Sequence, residues 1–427
     1  MQTSQTKNSY LTVHEVAEFL SISSDTVRRW DKKGLIKSKR NSQNYRVFNR
    51  EEVSRLFSKV NGGDTEKSRF KILKNNKTTK YNVIDLFSGA GGTALGFHNA
   101  GLNHKLLVEI DKQASATLKK NFTGAEILNE DISNVCFKKY KDKIDIVEAG
   151  FPCQAFSSAG KKLGFKDTRG TLFFEFARCV NEVKPKIAVG ENVRGLLNHD
   201  GGRTLETMLN VLDEIGYRAT FKLLRAQYLD VPQKRERLII MAVRKDLDMP
   251  MLFPKEKNYT ISVKEAFENV PKSEGQKYND KKKEVLKLVP AGGYWRDLPI
   301  DIQKEYMGKS FYHGGGKTGM ARRLSWDEPS LTIVCSPAQK QTERCHPKET
   351  RPLTIRESAR MQTFPDNWAF QGSVGAQYKQ VGNAVPVNLG FHIGEALISM
   401  LDGTLDDTKF IEETPKELNK EQTFNFG

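Results

Sequence analysis

The sequence is poor in cysteine, and its few cysteines follow no disulfide or metal-binding pattern. Five cysteines occur in 427 residues, and no two of them have the CxxC spacing. A small, odd and scattered set argues against a disulfide framework and against a zinc site. We therefore predict no bound metal and keep a reactive thiol as an option. The five are Cys136, Cys153, Cys179, Cys335 and Cys345.

Long apolar runs are also missing from the chain. No stretch approaches the roughly 18 uninterrupted apolar residues that a transmembrane helix needs. Residues 1–10 are polar and do not have the form of a secretory signal. These two absences predict a cytoplasmic protein without a membrane partner.

Acidic residues are outnumbered, and the excess of positive charge is uneven. The chain has 68 Lys and Arg against 52 Asp and Glu, a formal charge of +16 at pH 7. Residues 1–80 alone hold 18 basic and 8 acidic residues. Positive charge of this size attracts polyanions, above all nucleic acid, with acidic proteins as the alternative partner.

The basic amino-terminal segment has the pattern of a helix, a tight turn and a second helix. Apolar residues recur at helical spacing behind Thr12, a predicted N-cap. A second short helix over residues 24–30 exposes Arg28 and Arg29, and Arg46 opens an extended wing. The segment resembles the winged helix-turn-helix of the MerR and excisionase type, which binds DNA. A small dimerisation or docking unit is the alternative.

From residue 81 onward, short β-rich runs alternate with helical stretches. The predicted strands are 82–87, 105–108, 144–149, 187–189, 220–224 and 238–243, and the predicted helices are 93–100, 112–121, 171–183 and 204–215. This alternation predicts a doubly wound α/β sheet with a ligand crevice at the carboxyl ends of its strands. The alternation breaks over 250–350, where we expect a second lobe built of loops and short strands.

Glycines cluster after the first predicted strand, between Phe87 and Gly92. Their spacing differs from the GxGxxG motif that binds a dinucleotide. Glycine still lets a ligand approach the backbone closely, and Glu109 at the end of the next strand could bind both ribose hydroxyls. Asp131, after the following strand, could accept a hydrogen bond from an adenine amino group. An ordinary structural turn is the alternative for this stretch.

Cys153 lies on the loop after strand 144–149, where the crevice of a doubly wound sheet is expected. Next to Pro152, it is a candidate nucleophile if neighbouring positive charge stabilises its thiolate. Glu191 follows another strand and brings a carboxyl group to the same crevice. Arg235 and Arg237 alternate in extended backbone, so both guanidinium groups lie on one side.

Taken together, these stretches resemble the motifs of the C5-cytosine DNA methyltransferase family, in the order in which they occur there. The matching stretches are Phe87–Gly92, Pro152–Gln154, Glu191–Val193, Gln233–Arg237, Arg351–Pro365 and Gln380–Pro386. The similarity covers about residues 81–400 and therefore nearly everything outside the amino-terminal segment. So many short motifs in one order rarely arise by chance.

The resemblance implies a role for each motif. Cys153 would attack cytosine C6, Glu191 would donate to N3, Arg237 would hold O2, and Arg235 would support the cysteine loop. S-adenosyl-L-methionine would be the methyl donor. Its implied pocket consists of Phe87, Ser88, Gly89, Ala90, Gly91, Gly92, Glu109, Ile110, Asp131, Ile132, Pro152, Asn383 and Ala384.

Chemistry on a cytosine inside duplex DNA requires that the base leave the stack. The glycine-rich segment 154–171 is suited to closing over such a base. Its implied DNA contacts are Gln154, Ser157, Lys161, Lys162 and Arg169, to which the amino-terminal segment adds Arg28, Arg29 and Arg46. In the second lobe, Arg322 and Arg323 are candidate contacts for reading the sequence.

The predicted fold is a Rossmann-like methyltransferase domain with a small variable target-recognition lobe and an amino-terminal winged helix-turn-helix. The predicted division is a winged helix-turn-helix over 1–60, a linker over 61–80, a catalytic and cofactor-binding domain over 81–249, a target-recognition lobe over 250–350, the carboxyl-terminal part of the catalytic domain over 351–401 and a loose tail over 402–427.

The predicted function is methylation of cytosine C5 in a specific double-stranded DNA site, which protects that site from a cognate restriction endonuclease. The endonuclease is a functional partner and need not bind this chain. The amino-terminal domain is predicted to bind promoter DNA and to repress its own operon. Methylation of RNA is one alternative, and a transcription regulator with an inert methyltransferase-like body is another. The presence of Cys153, Glu191 and Arg237 argues against an inert body.

Overall fold

The computed structural model describes residues 10–20, 22–41, 43–53, 68–152, 171–314 and 317–414. Two compact units divide the chain. The first comprises Met1–Arg69 and Ser262–Glu357, and the second comprises Phe70–Ile261 and Ser358–Gly427. The amino-terminal segment therefore groups with the lobe that the sequence places more than 200 residues later.

Strands and helices alternate through most of the described chain. The strands are β1 (Tyr10–Thr12), β2 (Ser38–Arg40), β3 (Arg46–Asn49), β4 (Asn82–Leu86), β5 (Asn103–Val108), β6 (Glu126–Leu128), β7 (Ile146–Ala149), β8 (Ile187–Val193), β9 (Tyr217–Arg225), β10 (Gln233–Lys234), β11 (Glu236–Arg244), β12 (Leu252–Pro254), β13 (Ser330–Leu331) and β14 (Phe410–Glu412). The α-helices are α1 (Val13–Phe19), α2 (Ser24–Lys32), α3 (Gly92–Ala100), α4 (Lys112–Asn121), α5 (Leu172–Val183), α6 (Arg203–Glu214), α7 (Val263–Phe267), α8 (Asp280–Lys287), α9 (Ile300–Met307), α10 (Ile355–Met361), α11 (Val374–Asn383) and α12 (Val387–Asp402).

The second unit is built on a seven-stranded sheet with the order β6-β5-β4-β7-β8-β11-β9. Strands β5, β4, β7 and β8 pair in parallel, and β11 is antiparallel to both of its neighbours. The chain passes from β4 to β5 on one side and later to β7 on the other. In a doubly wound sheet, ligands bind at the carboxyl ends of the strands where the order reverses in this way. The predicted fold class is confirmed.

Both faces of this sheet are buried, because successive side chains of a strand point to opposite faces. On one face Val83 and Ile146 pack with residues of α12, such as Leu389. On the other face Ile84 and Val147 pack with residues of α5 and α6. Strands covered on both faces are almost continuously apolar, so an acid inside one of them is conspicuous.

Helices α3 and α12 approach closely because glycines face each other where they cross. A Cβ atom on Gly96 would lie 2.6 Å from the backbone nitrogen of Phe391, and one on Gly390 would lie 3.1 Å from the carbonyl oxygen of Thr93. Such close contact between backbones is possible only without side chains. These glycines therefore fix α12 against the helix that follows the first glycine-rich turn.

The first unit contains a three-stranded antiparallel sheet with the order β1-β3-β2. Thr12 caps α1 in a capping box with Glu15, as its predicted N-cap role requires. Helix α2 is two residues longer than predicted, because Asp31 and Lys32 continue it. A small core that includes Val27 and Trp30 holds both helices on the sheet.

The expectation that residues 250–350 consist of loops and short strands is wrong in part. Helices α7, α8 and α9 lie in this region, and Ser262 and Asn279 cap two of them. A separate apolar core that includes Trp295 and Met307 supports them. The lysine-rich helix surfaces obscure their short apolar faces in the sequence.

Several predicted boundaries differ from the structure. Strand β8 extends to Val193, so Glu191 lies inside the strand and not after it. The short strand expected before Asp131, for which the sequence analysis gave no bounds, is β6. Part of the tail expected to be loose pairs with β12 through β14, since backbone hydrogen bonds outweigh its charged composition. Within the predicted linker 61–80, the backbone nitrogen of Leu73 donates to the Asn388 side chain at 3.0 Å.

The stretch Val374–Asp402 contains an 18-residue segment with a mean hydropathy of 1.3, which is long and apolar enough to cross a membrane. However, 78% of this segment is buried inside the protein. The core helix of a globular domain has the same character, since it is apolar on most of its circumference.

Replacing Gly96 with Ala should lower the free energy of unfolding by about 1–3 kcal/mol, because the added methyl group overpacks the contact between α3 and α12. Gly375→Ala is the matched control: it lies in α11, and a Cβ there would meet no described atom within 4 Å. Chemical denaturation of both variants measures the difference. Equal stability of the two would contradict the packing argument.

Candidate active site

A pocket of about 640 Å³ opens at the carboxyl ends of the central strands in the second unit. Nearly all described residues with a predicted cofactor or catalytic role line it. These are Phe87, Ser88, Gly89, Ala90, Gly92, Glu109, Ile110, Asp131, Ile132, Pro152, Glu191, Arg235, Arg237, Asn383 and Ala384. Gly91 is the exception, since it faces away toward Leu118 and Phe122.

The glycine-rich turn between β4 and α3 lines part of the pocket. Phe87, Gly89 and Gly91 all have left-handed backbone conformations, with φ values of 58°, 55° and 84°. Gly91 is the N-cap of α3 and supplies a conformation that other residues rarely adopt. A Cβ on Gly92 would overlap the carbonyl oxygen of Val385. Gly91 therefore shapes the turn, and its predicted contact with a cofactor stays a prediction.

Glu109 lies directly after β5 and is fixed by two backbone groups. Its Oε2 accepts from Gly89 N and its Oε1 accepts from Asp111 N, both at 2.7 Å. Burial raises the pKa of Glu109, although these two N–H groups lower it. The carboxyl group is thus held in one orientation at the pocket wall and keeps lone pairs for a ligand.

Glu191 and Arg237 form an ion pair inside the pocket. The distance from Arg237 Nε to Glu191 Oε1 is 2.6 Å, and both side chains are almost buried. Strand pairing brings them together, because Glu191 lies opposite Ile239, and Arg237 is two residues from Ile239 on the same face. Arg235 is also buried, and its Nη2 donates to the carbonyl oxygen of Gly382 at 3.2 Å.

The backbone that leads to Cys153 is fixed at the edge of the pocket. Asn192 Nδ2 donates to the carbonyl oxygen of Phe151 at 2.8 Å. The Phe151 ring packs against Phe173 and Phe176, with centroids 5.5 and 5.7 Å away. Cys153 itself, with Gln154, Ser157, Lys161, Lys162 and Arg169, lies outside the described residues.

Buried amides hold the wall that the end of α11 contributes to the pocket. Gln362 Nε2 donates to the carbonyl oxygens of Val381 and Ala384, at 2.7 and 3.0 Å. Gln233 Nε2 in turn donates to Gln362 Oε1 at 2.8 Å. Three sequence motifs that are far apart in the chain therefore meet in one hydrogen-bond network.

Sequence reasoning missed two acids in the pocket, Asp85 and Glu148. Both are almost completely buried, at 1% and 2% exposure. Burial raises the pKa of Asp85 to about 7 and raises the pKa of Glu148 well above its usual range. The available signal was an acid within an otherwise apolar strand, which the search for motifs passed over.

Each candidate DNA contact of the first unit has an acidic partner. Arg29 pairs with Glu328 at 2.9 Å, and Arg46 lies 3.5 Å from Asp31. Arg28 lies 3.7 Å from Asp25 and is the most exposed of the three, with 55% of its side chain accessible.

Arg323, in contrast, is buried. Its guanidinium donates to the carbonyl oxygens of Leu286, Val289 and His346. The expectation that Arg323 reads DNA is therefore wrong, because its donors hold the fold of the lobe.

Residues 81–399 match the sequence profile of the C-5 cytosine-specific DNA methylases. The chain belongs to this family. As a cytosine-5 DNA methylase it has the enzyme class that the sequence predicts. A separate match of residues 12–48 to the MerR family of regulatory proteins confirms the resemblance of the amino-terminal segment.

Relatives of this cytosine-5 DNA methylase extend over almost the whole chain. The type II methyltransferase M.Eco47II of Escherichia coli is 54% identical over 404 residues, which cover 91% of this chain and 95% of that protein. The type II methyltransferase M.Sau96I of Staphylococcus aureus is 50% identical over 369 residues, which cover 84% and 86%.

Two solved structures share the fold. A DNMT2 mutant from Spodoptera frugiperda has a TM-score of 0.55 at 16% identity and covers 74% of this chain and 99% of its own. The methyltransferase EhMeth of Entamoeba histolytica has a TM-score of 0.52 at 16% identity and covers 76% and 99%. At this identity the likeness concerns the fold alone.

Proposed function

We propose that this cytosine-5 DNA methylase acts in the cytoplasm as the modification enzyme of a restriction system. It methylates C5 of a flipped-out cytosine in a specific duplex site and so protects that site from a cognate endonuclease. The observation that carries the proposal is the single pocket that contains Glu109, Glu191 and Arg237 and whose edge leads to Cys153. The type II names of its relatives support it.

The cofactor half of the pocket fits S-adenosyl-L-methionine. The volume of the whole pocket is in the range of small-molecule sites. The fixed carboxyl group of Glu109 suits a ribose diol. Phe87 would contact the adenine ring, Asp131 its amino group, and the turn around Gly89 the methionine part. When bound, S-adenosyl-L-methionine supplies an electrophilic methyl group.

The other half suits a cytosine. C5 is a poor nucleophile until a group adds to C6, and the thiolate of Cys153 is the residue proposed to add there. Glu191 gives a proton to N3, which lets electron density move to C5, and Arg237 holds O2. Loss of the C5 proton and elimination of the sulfur then restore the aromatic ring.

The reaction requires a base outside the helical stack, which costs a few kcal/mol. We assign closure over the flipped base to segment 154–171, with Gln154 and Ser157 near the base and Lys161, Lys162 and Arg169 on phosphates. The glycines and the positive charge of this segment support the assignment.

Covalent addition predicts a stable adduct with duplex DNA in which 5-fluorocytosine replaces cytosine. In the presence of S-adenosyl-L-methionine, wild-type protein should form a complex that survives boiling in detergent, because after methyl transfer fluorine cannot leave C5 as the proton does. Cys153→Ser should form none, whereas Cys136→Ser, which changes an exposed cysteine elsewhere, should react like wild type. Denaturing gel electrophoresis gives the result, and its absence for the wild type would refute the mechanism.

Glu109→Gln should weaken binding of S-adenosyl-L-methionine by about 10- to 100-fold, since a charge-assisted hydrogen bond to the ribose is lost. Calorimetric titration measures this. Glu126→Gln is the control, because Glu126 pairs with Lys139 outside the pocket. Equal affinities of the two variants for S-adenosyl-L-methionine would contradict the assignment of Glu109 to the cofactor site.

We further propose that the winged helix-turn-helix binds promoter DNA and represses the operon of the enzyme. The match to MerR regulators and the exposed Arg28 on α2 support this role. The ion pair of Arg29 with Glu328 makes Arg28 the better probe.

In a gel-shift assay, full-length protein should therefore slow the migration of DNA from upstream of its own gene. Arg28→Ala should weaken this shift several-fold and lower the salt dependence by about one counterion. Lys245→Ala removes the same charge from the second unit, where Lys245 pairs with Asp213, and should have no effect. Failure of the wild type to bind upstream DNA would refute repression by this domain.

A further inference from the structure

Asp85 and Glu148 form a buried pair of carboxyl groups that the proposed chemistry leaves without a role. They are register partners on the parallel strands β4 and β7, so their side chains leave the sheet on the same face. Neighbouring strands are about 4.8 Å apart. The two carboxyl groups interact with each other, and neither has a basic partner among the described residues. Two desolvated acids this close together do not both ionise near neutral pH.

The pair lies between the two halves of the pocket. Glu148 is opposite Val189 on β8, and Glu191 is two residues farther along β8 on the same face. The negative charge of Glu191 helps to raise the pKa of Glu148, after burial and the charge of Asp85. Glu109 acts in the same way on Asp85, though burial is again the larger cause.

The remaining charged groups of this pocket lie on other elements. They are Asp111, Glu130, Asp131, Arg235, Arg237 and Lys379. Helices α3 and α12, which pack on this face of the sheet, contribute no charged side chain to the described lining of the pocket. The pair is therefore the acidic group nearest to Glu191 along the sheet.

Glu191 needs a proton at the moment of reaction, yet it forms a 2.6 Å ion pair with Arg237. We propose that Glu148, backed by Asp85, is the proton store that supplies Glu191 for its donation to cytosine N3. This inference rests on the proposed function. Glu148 and Asp85 touch neither base nor cofactor in this scheme, so they are positioning residues that act through Glu191.

Each proton in this scheme has a source and a destination. The O–H bond of Glu148 breaks, and a bridging water carries the proton to Glu191, which lies on the adjacent strand two positions beyond the register partner of Glu148. Glu191 passes the proton that it has received to N3 while the sulfur–C6 bond forms. Glu148 is left as a carboxylate beside the remaining acid. When the sulfur leaves, N3 returns its proton by the same route, and the C5 proton goes to solvent.

Glu148→Gln tests the store, because the amide keeps the shape of the side chain and cannot give up a proton. Single-turnover methyl transfer from labelled S-adenosyl-L-methionine to unmethylated plasmid DNA is measured with full-length protein across the neutral range. We expect the variant to be about tenfold slower near pH 8, and the gap to narrow toward pH 6, because protons are then more available from solvent. Affinity for S-adenosyl-L-methionine should stay within about twofold of wild type.

Two further variants separate this role from a structural one. Glu148→Asp keeps an ionisable group and should recover most of the rate. Glu126→Gln makes the same chemical change outside the pocket, where Glu126 pairs with Lys139, and should leave the pH profile unchanged.

An unchanged rate of Glu148→Gln at every pH would overturn the inference. A loss that is equal at all pH values and that Glu148→Asp does not rescue would also overturn it, since it marks a structural role only. Failure of the proposed function can be told apart from failure of this inference. If the proposed function is wrong, the wild type forms no adduct with 5-fluorocytosine DNA.

Discussion

The site depends on parallel pairing of β4, β7 and β8, which brings three carboxyl groups to one face of the sheet. Asp85, Glu148 and Glu191 lie on three different strands, and each is more than 40 residues from the next in the sequence. Only the strand register makes them neighbours. The antiparallel pairing of β11 with β8 then adds Arg237 to the same face. A shift of register by one residue would turn each of these side chains to the opposite face.

Burying this many ionisable groups is unfavourable unless each is paired or neutral. The structure uses both solutions. Glu191 is paired with Arg237, and Glu109 accepts from two backbone N–H groups. Asp85 and Glu148 have neither kind of partner among the described residues, and burial keeps a proton on them instead. The same desolvation that destabilises the folded protein thus makes the pair a candidate source of protons.

The first unit illustrates how tertiary contacts limit which arginines are available. Arg28 and Arg29 are adjacent in the sequence and look equivalent there. In the structure Arg29 is engaged by the buried Glu328, whereas Arg28 remains exposed. Arg323 is similarly unavailable for DNA, because its guanidinium group donates hydrogen bonds to carbonyl oxygens within the lobe.

The sequence by itself determined the class of fold, the family and most of the pocket, because these are carried by local patterns. Short stretches of sequence were enough to predict a role for three parts of the pocket. These are the turn from Phe87 to Gly92, the loop that begins at Pro152 and the carboxyl group of Glu109. Tertiary structure alone decided that Asp85 and Glu148 are neighbours and that a Cβ on Gly91 would point toward Leu118 and Phe122. The physical reason is that register, burial and desolvation arise between segments far apart in the chain, so no local pattern of residues encodes them.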